Sequence, residues 1–335
     1  MIGEHILQQA ARRYGADAAT LFPLTGGHFT HVYQFEREGN AYVLRLTPPN
    51  EEIDLTAMRA ILAWVSFLYD HGAFVTRPTP SEAGNLVETI RDGDEVILVT
   101  AIEKAPGVLG ETLRFEQWMP AVFKALGRVV GRLHAVTETY EPAAPEFQRP
   151  HWNGEEGLYY LQTPGMPPLV AEKAAPVLAK VKTLPRNPSG YGLIHGDLHG
   201  GNFFVDLAET TIMLFDFDDC LYGWYIMDIA MSVFDMLVLT PEKDKAAFAH
   251  RFLRHYLRGY THERPLETRW LAQLPHFLKL VELDVYTQVY QHHDPTDVTS
   301  WVGRFMQNRT SRIRNDVPYV ALDIEKILET IETSS

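Results

Sequence analysis

Apolar and polar positions alternate in short runs through the first third of the chain and recur at helical spacing through most of the remainder. Val32-Tyr33-Gln34-Phe35 and Tyr42-Val43-Leu44-Arg45-Leu46 flank a charged turn at 36–40, which predicts a β-hairpin closed by Pro48-Pro49. Residues 54–69 place Leu55, Met58, Leu62, Val65 and Leu68-Tyr69 near helical spacing, and Gly72 ends that helix. Strands follow at 85–90 and 95–101 around Arg91-Asp92-Gly93-Asp94, a second hairpin-type turn. Ala105-Pro106-Gly107 breaks the pattern. Beyond it the periodicity predicts helices at 116–134 and 176–184, a proline-rich connection at 142–150, and a mostly helical stretch from Pro241 onward. Strand-like segments at 203–205 and 211–215 interrupt this half. The expected architecture is α+β and two-lobed: a small β-rich lobe at 1–104 and a larger helical lobe at 105–335, with ligands in the cleft between.

Composition narrows the partners. The chain has 335 residues, 46% hydrophobic and 22% charged, with a net charge of −13 and a pI near 5.5. Nucleic acids and anionic membranes attract basic surfaces, so neither is expected as a partner, whereas a cationic small molecule suits the charge. Cys220 is the single cysteine, which excludes an intrachain disulfide and argues against a cysteine-based zinc site. The first residues carry Glu4 and no uninterrupted apolar core of the signal-peptide kind, and no apolar run is long enough to span a bilayer. A cytoplasmic location is the expectation.

The chemistry concentrates in Leu193-Ile194-His195-Gly196-Asp197-Leu198-His199-Gly200-Gly201-Asn202-Phe203 and, shortly after, Phe215-Asp216-Phe217-Asp218-Asp219. If 203–205 and 211–215 form a hairpin, its register sets Asn202 opposite Asp216 at one open end of the ladder. An amide carbonyl and a carboxylate are hard oxygen donors of the kind Mg2+ accepts while retaining waters and substrate phosphates. Asp197, five residues before Asn202 on a glycine-rich loop, is placed to accept a hydroxyl proton. His195 follows Leu193-Ile194 and is expected to brace the loop.

These residues resemble the catalytic core of the aminoglycoside phosphotransferase and choline kinase-like family, small-molecule relatives of the protein kinases. The resemblance runs from about Leu24 to Ala230 and includes Asp228-Ile229-Ala230. It implies a protein kinase-like fold, ATP and Mg2+ as cofactors, Asp197 as catalytic base, Asn202 and Asp216 as metal ligands, and Asp228 as support for the catalytic loop. Gly26-Gly27 then corresponds to the nucleotide-covering loop, Arg45 to the position where a lysine commonly meets the ATP phosphates, and Thr100 to Ile102 to the interlobe hinge whose backbone meets adenine. The usual glutamate partner of that basic residue is missing: its slot holds Ile61, and Glu51, Glu52 or Asp54 are the nearby substitutes.

Other residues stay open at this level. Asp218 and Asp219 serve either as additional acids facing metal or substrate or as a turn or cap. His199 reads as a loop brace, His292-His293 as a loop end, and Tyr286, Tyr290 and Trp301 as core aromatics at helical spacing, a few of which could meet a cation. The resulting expectation is an ATP- and Mg-dependent phosphotransferase acting on an alcohol of a small molecule. A protein Ser/Thr kinase of the same fold and a nucleotide-binding regulatory protein are the competing readings.

Overall fold

The structure, a computed structural model, describes residues 2–24, 30–48, 53–152, 161, 165–294 and 300–332. Its chain divides into two units, the first comprising Met1–Pro106, Tyr140–Arg149 and Met213–Asp218, the second Gly107–Thr139, Pro150–Ile212 and Asp219–Ser335.

The first unit opens with α1 (Glu4–Arg13), a helix the apolar pattern did not flag. Its buried face uses Ile6, Ala10 and Tyr14 at four-residue spacing, and alanine registers weakly as an apolar signal. Glu4 in its first turn and Arg12 and Arg13 in its last complement the helix dipole. Then come β1 (Phe22–Pro23), β2 (His31–Arg37) and β3 (Asn40–Thr47), where Glu38 and Gly39, both at positive φ (54° and 80°), make the tight turn predicted between β2 and β3. Helix α2 (Leu55–Asp70) follows, its N-terminus capped by the Asp54 side chain accepting from the Ala57 N–H. Strands β4 (Pro78–Thr79), β5 (Glu88–Asp92) and β6 (Glu95–Glu103) complete an antiparallel sheet ordered β1-β2-β3-β6-β4, with β5 also on β6. The predicted strand at 85–90 thus starts three residues late, because Ser81 and Asn85 build a local turn whose groups hold Glu88.

The period of two along these strands places the site. Tyr42, Leu44 and Leu46 on β3 join Ile97, Val99 and Ala101 on β6 and α1 in one core. Arg45 therefore faces the other side of the sheet, directly across from Thr100. Leu98 on that side packs with Met58 and Leu62 of α2. Ile102 pairs with Val43 on one side and Pro78 on the other.

The second unit contains β7 (Val108–Leu109), α3 (Pro120–Thr137) and α4 (Pro168–Lys182), then β8 (Tyr191–Ile194), β9 (Phe203–Asp206) and β10 (Thr211–Leu214), whose last two residues belong to the first unit. Strand β11 (Leu221–Trp224) precedes α5 (Ile226–Leu239), α6 (Lys245–Glu263), α7 (Thr268–Leu271), α8 (Leu274–His292), α9 (Trp301–Met306), α10 (Arg309–Arg314) and α11 (Ile324–Glu332). Helix α3 starts at Pro120 rather than 116, since proline suits the first helical turn and a 3-10 turn occupies Phe115–Gln117. Helix α4 begins eight residues before the predicted 176 and carries Pro176 inside it.

Helices α3 and α6 meet through glycine. A Cβ at Gly127 would strike the Tyr256 carbonyl and one at Gly259 the Lys124 carbonyl, so the two backbones lie in direct contact. That approach brings Tyr260 of α6 to His134 of α3. Of the aromatics read as core, Tyr286 is buried, but Tyr290 is 61% exposed and Trp301 38% exposed; helical spacing marks a face without saying that anything covers it. His292 ends α8, as its loop-end reading expected. Among the described residues no helix is long and apolar enough to cross a membrane.

Candidate active site

Strand β8 pairs antiparallel with β11 and delivers His195 at its end. His195 is fully buried, and its backbone N–H donates to Asp228 Oδ2 at 2.9 Å while the Gly196 N–H donates to Oδ1 at 3.0 Å. Gly196 sits at φ +85°, and a Cβ there would meet the Asp219 carbonyl, so only glycine fits this turn. Asp228 lies in the first turn of α5 with no exposure, and His134 Nε2 reaches its Oδ2 at 3.0 Å. A carboxylate only accepts, so His134 carries its hydrogen on Nε2 and accepts the Tyr260 hydroxyl at Nδ1, 2.9 Å away. Burial acts to raise the Asp228 pKa, but His134 and the loop N–H groups outweigh it and hold the carboxyl below its ordinary value. Burial also lowers His134, against the pull of Asp228. The result is a neutral imidazole under an ionised carboxylate that grips two consecutive loop amides, the support role that the resemblance implied for Asp228.

The loop then presents Asp197. Asn202 Nδ2 donates to the Asp197 carbonyl at 2.8 Å and to its Oδ2 at 2.9 Å, and His199 Nε2 lies 3.3 Å from the same Oδ2. Both side-chain contacts fall on Oδ2, which leaves Oδ1 to accept from a hydroxyl. The side chain keeps 37% of its surface exposed. Burial would raise Asp197, yet His199, His195 and the Asn202 amide together hold it below the usual carboxylate range. His199 is a brace, as read: its Nδ1 accepts the Gly201 N–H at 3.0 Å. Burial opposes its charge while Asp197, Asp235 and Glu111 draw a proton toward the ring. A protonated Nδ1 could not accept the Gly201 N–H, so the geometry holds the neutral ring with its hydrogen on Nε2, facing Asp197. Asp235 on α5 accepts the Gly200 N–H at 3.0 Å and is itself pushed up to about 6, chiefly by burial, with Glu111 and Asp197 adding.

In the first unit, Arg45 projects from β3 into two carboxylates. Its Nη1 and Nη2 donate to Asp218 Oδ1 and Oδ2 at 3.2 and 2.6 Å, and Nη2 also donates to Asp216 Oδ1 at 3.2 Å. Burial disfavours the guanidinium charge, and the two carboxylates more than restore it. Asp216 is 36% exposed and holds φ at +63°, a left-handed conformation that is uncommon for non-glycine residues and that aspartate tolerates better than most. Ile61, in the slot expected to carry a glutamate, is buried on α2, and Asp54 is engaged in capping that helix. Glu51 and Glu52, like Gly26 and Gly27, lie outside the described residues.

The donor chemistry fits a small divalent cation. Asn202 in the second unit has its amide N–H groups on Asp197, which leaves its carbonyl oxygen as a hard donor. Asp216 in the first unit carries a carboxylate, and each is of the kind such a cation takes. Sequence reasoning missed His134, 94 residues from its partner, and left Asp218 unassigned although it lies two residues past Asp216.

A family model described as "Phosphotransferase enzyme family" (APH) matches residues 20–266. The amicoumacin kinase of Bacillus subtilis (strain 168) is 31% identical over 329 residues, 97% of this chain and 96% of its own. A solved amicoumacin kinase in complex with AMP-PNP, Ca2+ and Ami superposes with a TM-score of 0.87 at 30% identity, covering 98% of this chain and 97% of that one. The microcompartment-associated aminopropanol kinase, at 22% identity and a TM-score of 0.74 over 95% of this chain and 100% of that one, shares the fold. A spectinomycin phosphotransferase shares it too, at 16% identity and a TM-score of 0.59 over 98% of each chain. With a protein kinase-like fold and a family match over most of its length, the chain belongs to the phosphotransferase enzyme family (APH), whose members of this kind are ATP-dependent kinases of small-molecule alcohols.

Proposed function

We propose that the protein transfers the γ-phosphoryl group of ATP to the hydroxyl of an amine-bearing small molecule, with Asp197 as the catalytic base. The observation that carries this reading is the one-sided engagement of Asp197, whose Oδ2 is held by Asn202 and His199 while Oδ1 remains to take a proton. Its depressed pKa keeps it ionised at neutral pH, so it orients and accepts without prior deprotonation. In this reading Arg45 meets the nucleotide phosphates, Gly26 and Gly27 cover them, Thr100 to Ile102 border adenine, and Asn202 and Asp216 provide the oxygens that hold Mg2+. The metal, when bound, neutralises charge developing on the phosphoryl oxygens. The phosphoryl acceptor chemistry itself rests on Asp197.

The relatives favour a small molecule over a protein as acceptor, and the amicoumacin kinase of Bacillus subtilis makes an amicoumacin the first compound to assay. The amine follows from charge: Glu111, Asp197 and Asp235 all act on His199, and although burial is the main cause of the raised Asp235, Glu111 and Asp197 add to it, so an incoming cation would be favoured beside them. The loop and the metal site are tested by thermal shift with Mg-ATP. The wild type gains melting temperature, and Asp216→Ala loses that gain while keeping its ligand-free melting point. No shift in the wild type at millimolar ATP would overturn the nucleotide reading.

Asp235 gives a separate test of the acceptor class. A carboxyl whose folded pKa is raised costs stability as pH climbs through its unfolded value of about 3.9, and that cost is complete above about 6. Asp235→Asn, whose amide oxygen still accepts the Gly200 N–H, is expected to stabilise the protein by on the order of 1 kcal/mol above pH 6 and by nothing below about pH 4. The same variant should raise KM for an amine-bearing acceptor and leave KM for ATP unchanged. An unchanged acceptor KM would argue against a cationic substrate.

A further inference from the structure

A guanidinium with only 15% of its surface exposed needs a fixed counter-charge, and the helix expected to supply one does not. Helix α2 buries Met58, Ile61, Leu62, Trp64 and Val65, all apolar. The counter-charge comes instead from Asp218, 173 residues away in sequence and 16% exposed. From this geometry we infer that Asp218 is the positioning residue for Arg45, holding its guanidinium in the orientation that presents it to the nucleotide phosphates. The inference rests on the proposed role of Arg45 in nucleotide binding and extends it to a residue outside the metal and base assignments.

Three features separate Asp218 from Asp216 in this role. Asp218 grips Arg45 with both oxygens in parallel, whereas Asp216 makes one contact to a nitrogen that Asp218 already shares. Asp218 is less than half as exposed as Asp216, 16% against 36%. Its segment is also pinned on either side. The Asp218 carbonyl accepts from Arg149 Nη2 at 3.2 Å, and the preceding Phe217 packs edge-on against Trp64 of α2 with ring centroids 5.4 Å apart. Arginine carries five N–H donors, of which these carboxylates engage three, so donors remain for phosphate oxygens. The arrangement also accounts for arginine at this strand position. A lysine ammonium is a point charge and cannot grip both oxygens of Asp218 in a parallel fork while turning further donors toward a ligand.

A double-mutant cycle tests the inference, with calorimetric affinity for AMP-PNP in excess magnesium as the readout and a melting curve for each variant. Arg45→Met and Asp218→Asn are each expected to weaken binding about tenfold or more, and the double variant to bind no worse than Arg45→Met alone, because Asp218 acts through Arg45. Asp218→Glu, which keeps the charge, should recover most of the affinity and remains informative if Asp218→Asn does not fold. Weak binding by Arg45→Met with normal or tighter binding by Asp218→Asn would overturn the positioning role and leave Arg45 on the phosphates. Additive losses in the double variant would also overturn it, since Asp218 would then act independently of Arg45. Normal binding by Arg45→Met would instead remove Arg45 from the nucleotide site, and the inference with it.

Discussion

Asp197→Ala is expected to reduce kcat by at least about 10²–10⁴-fold while leaving the affinity for Mg-ATP within about twofold of wild type. The loss falls on kcat because the side chain acts on the acceptor hydroxyl as the phosphoryl group moves. Nucleotide affinity is largely spared because Arg45 and Asp216 lie on other segments, and Asn202, which loses its bond to the Asp197 carboxylate, keeps the one to the residue 197 backbone carbonyl. Asp197→Asn sharpens the result. It keeps the size of the side chain but cannot take a proton, so it should be as inactive as the alanine variant if proton acceptance is what matters. An asparagine variant with substantial turnover would reduce Asp197 to an orienting group, and near-normal turnover of both would refute the mechanism. Because His199 and Asn202 hold Asp197 below the usual carboxylate range, its protonation produces no fall in activity near neutral pH. An acid limb near pH 6, if present, has its natural source in Asp235, pushed up to about 6, and Asp235→Asn would then abolish it.

The parts of this site that were legible in the sequence are those encoded within a few consecutive residues. His195, Asp197 and Asn202 lie within eight positions, and a loop that short brings its polar groups together whatever surrounds it. The hairpin through Glu38 and Gly39 and the helix from Leu55 were legible for the same reason, since turn chemistry and periodicity act over four to eighteen residues. The supports were not legible, because they pair distant residues of unremarkable local context. His134 reads as one more residue on the buried face of α3, and only the glycine-mediated contact with α6 and the arrival of Asp228 make it a hydrogen-bonding centre. Asp218 is one of three closely spaced aspartates, and nothing local selects it as the partner of an arginine on β3. The missing glutamate at Ile61 is a visible anomaly, but its compensation, Asp218, lies on a different segment from α2.

Asp228→Asn is expected to lower stability by roughly 3–5 kcal/mol, the cost typical of removing one member of a buried charged network. The carboxylate accepts from three donors, the N–H groups of His195 and Gly196 and the Nε2–H of His134. An asparagine has one oxygen to offer, so at least one backbone N–H or the imidazole N–H would face an amide hydrogen inside a fully buried site. The loop that carries Asp197 would shift, and displacement by about 1 Å is enough to cost about 10²-fold in kcat. KM for ATP should change little, which separates a displaced base from general unfolding. Acid should mimic the substitution in the wild type. His134 has a folded pKa below its unfolded value of about 6.5, so as pH falls through 6.5 the unfolded chain takes up a proton that the folded protein resists, and stability declines. Asp228 is likewise depressed and adds a loss of the same sign below about 3.9. The His134 and Asp228 contributions are therefore level above pH 6.5 and decline below it, against the opposite contribution of Asp235 between pH 6 and 4. The two are separated by comparing wild type with variants rather than by the wild-type curve alone. His134→Gln, whose amide N–H can still donate to Asp228, should remove the His134 contribution between pH 6.5 and 4. A pH profile between 6.5 and 4 that is the same in wild type and His134→Gln would mean that the imidazole is not held neutral against Asp228, and the account of how the catalytic loop is braced would fail.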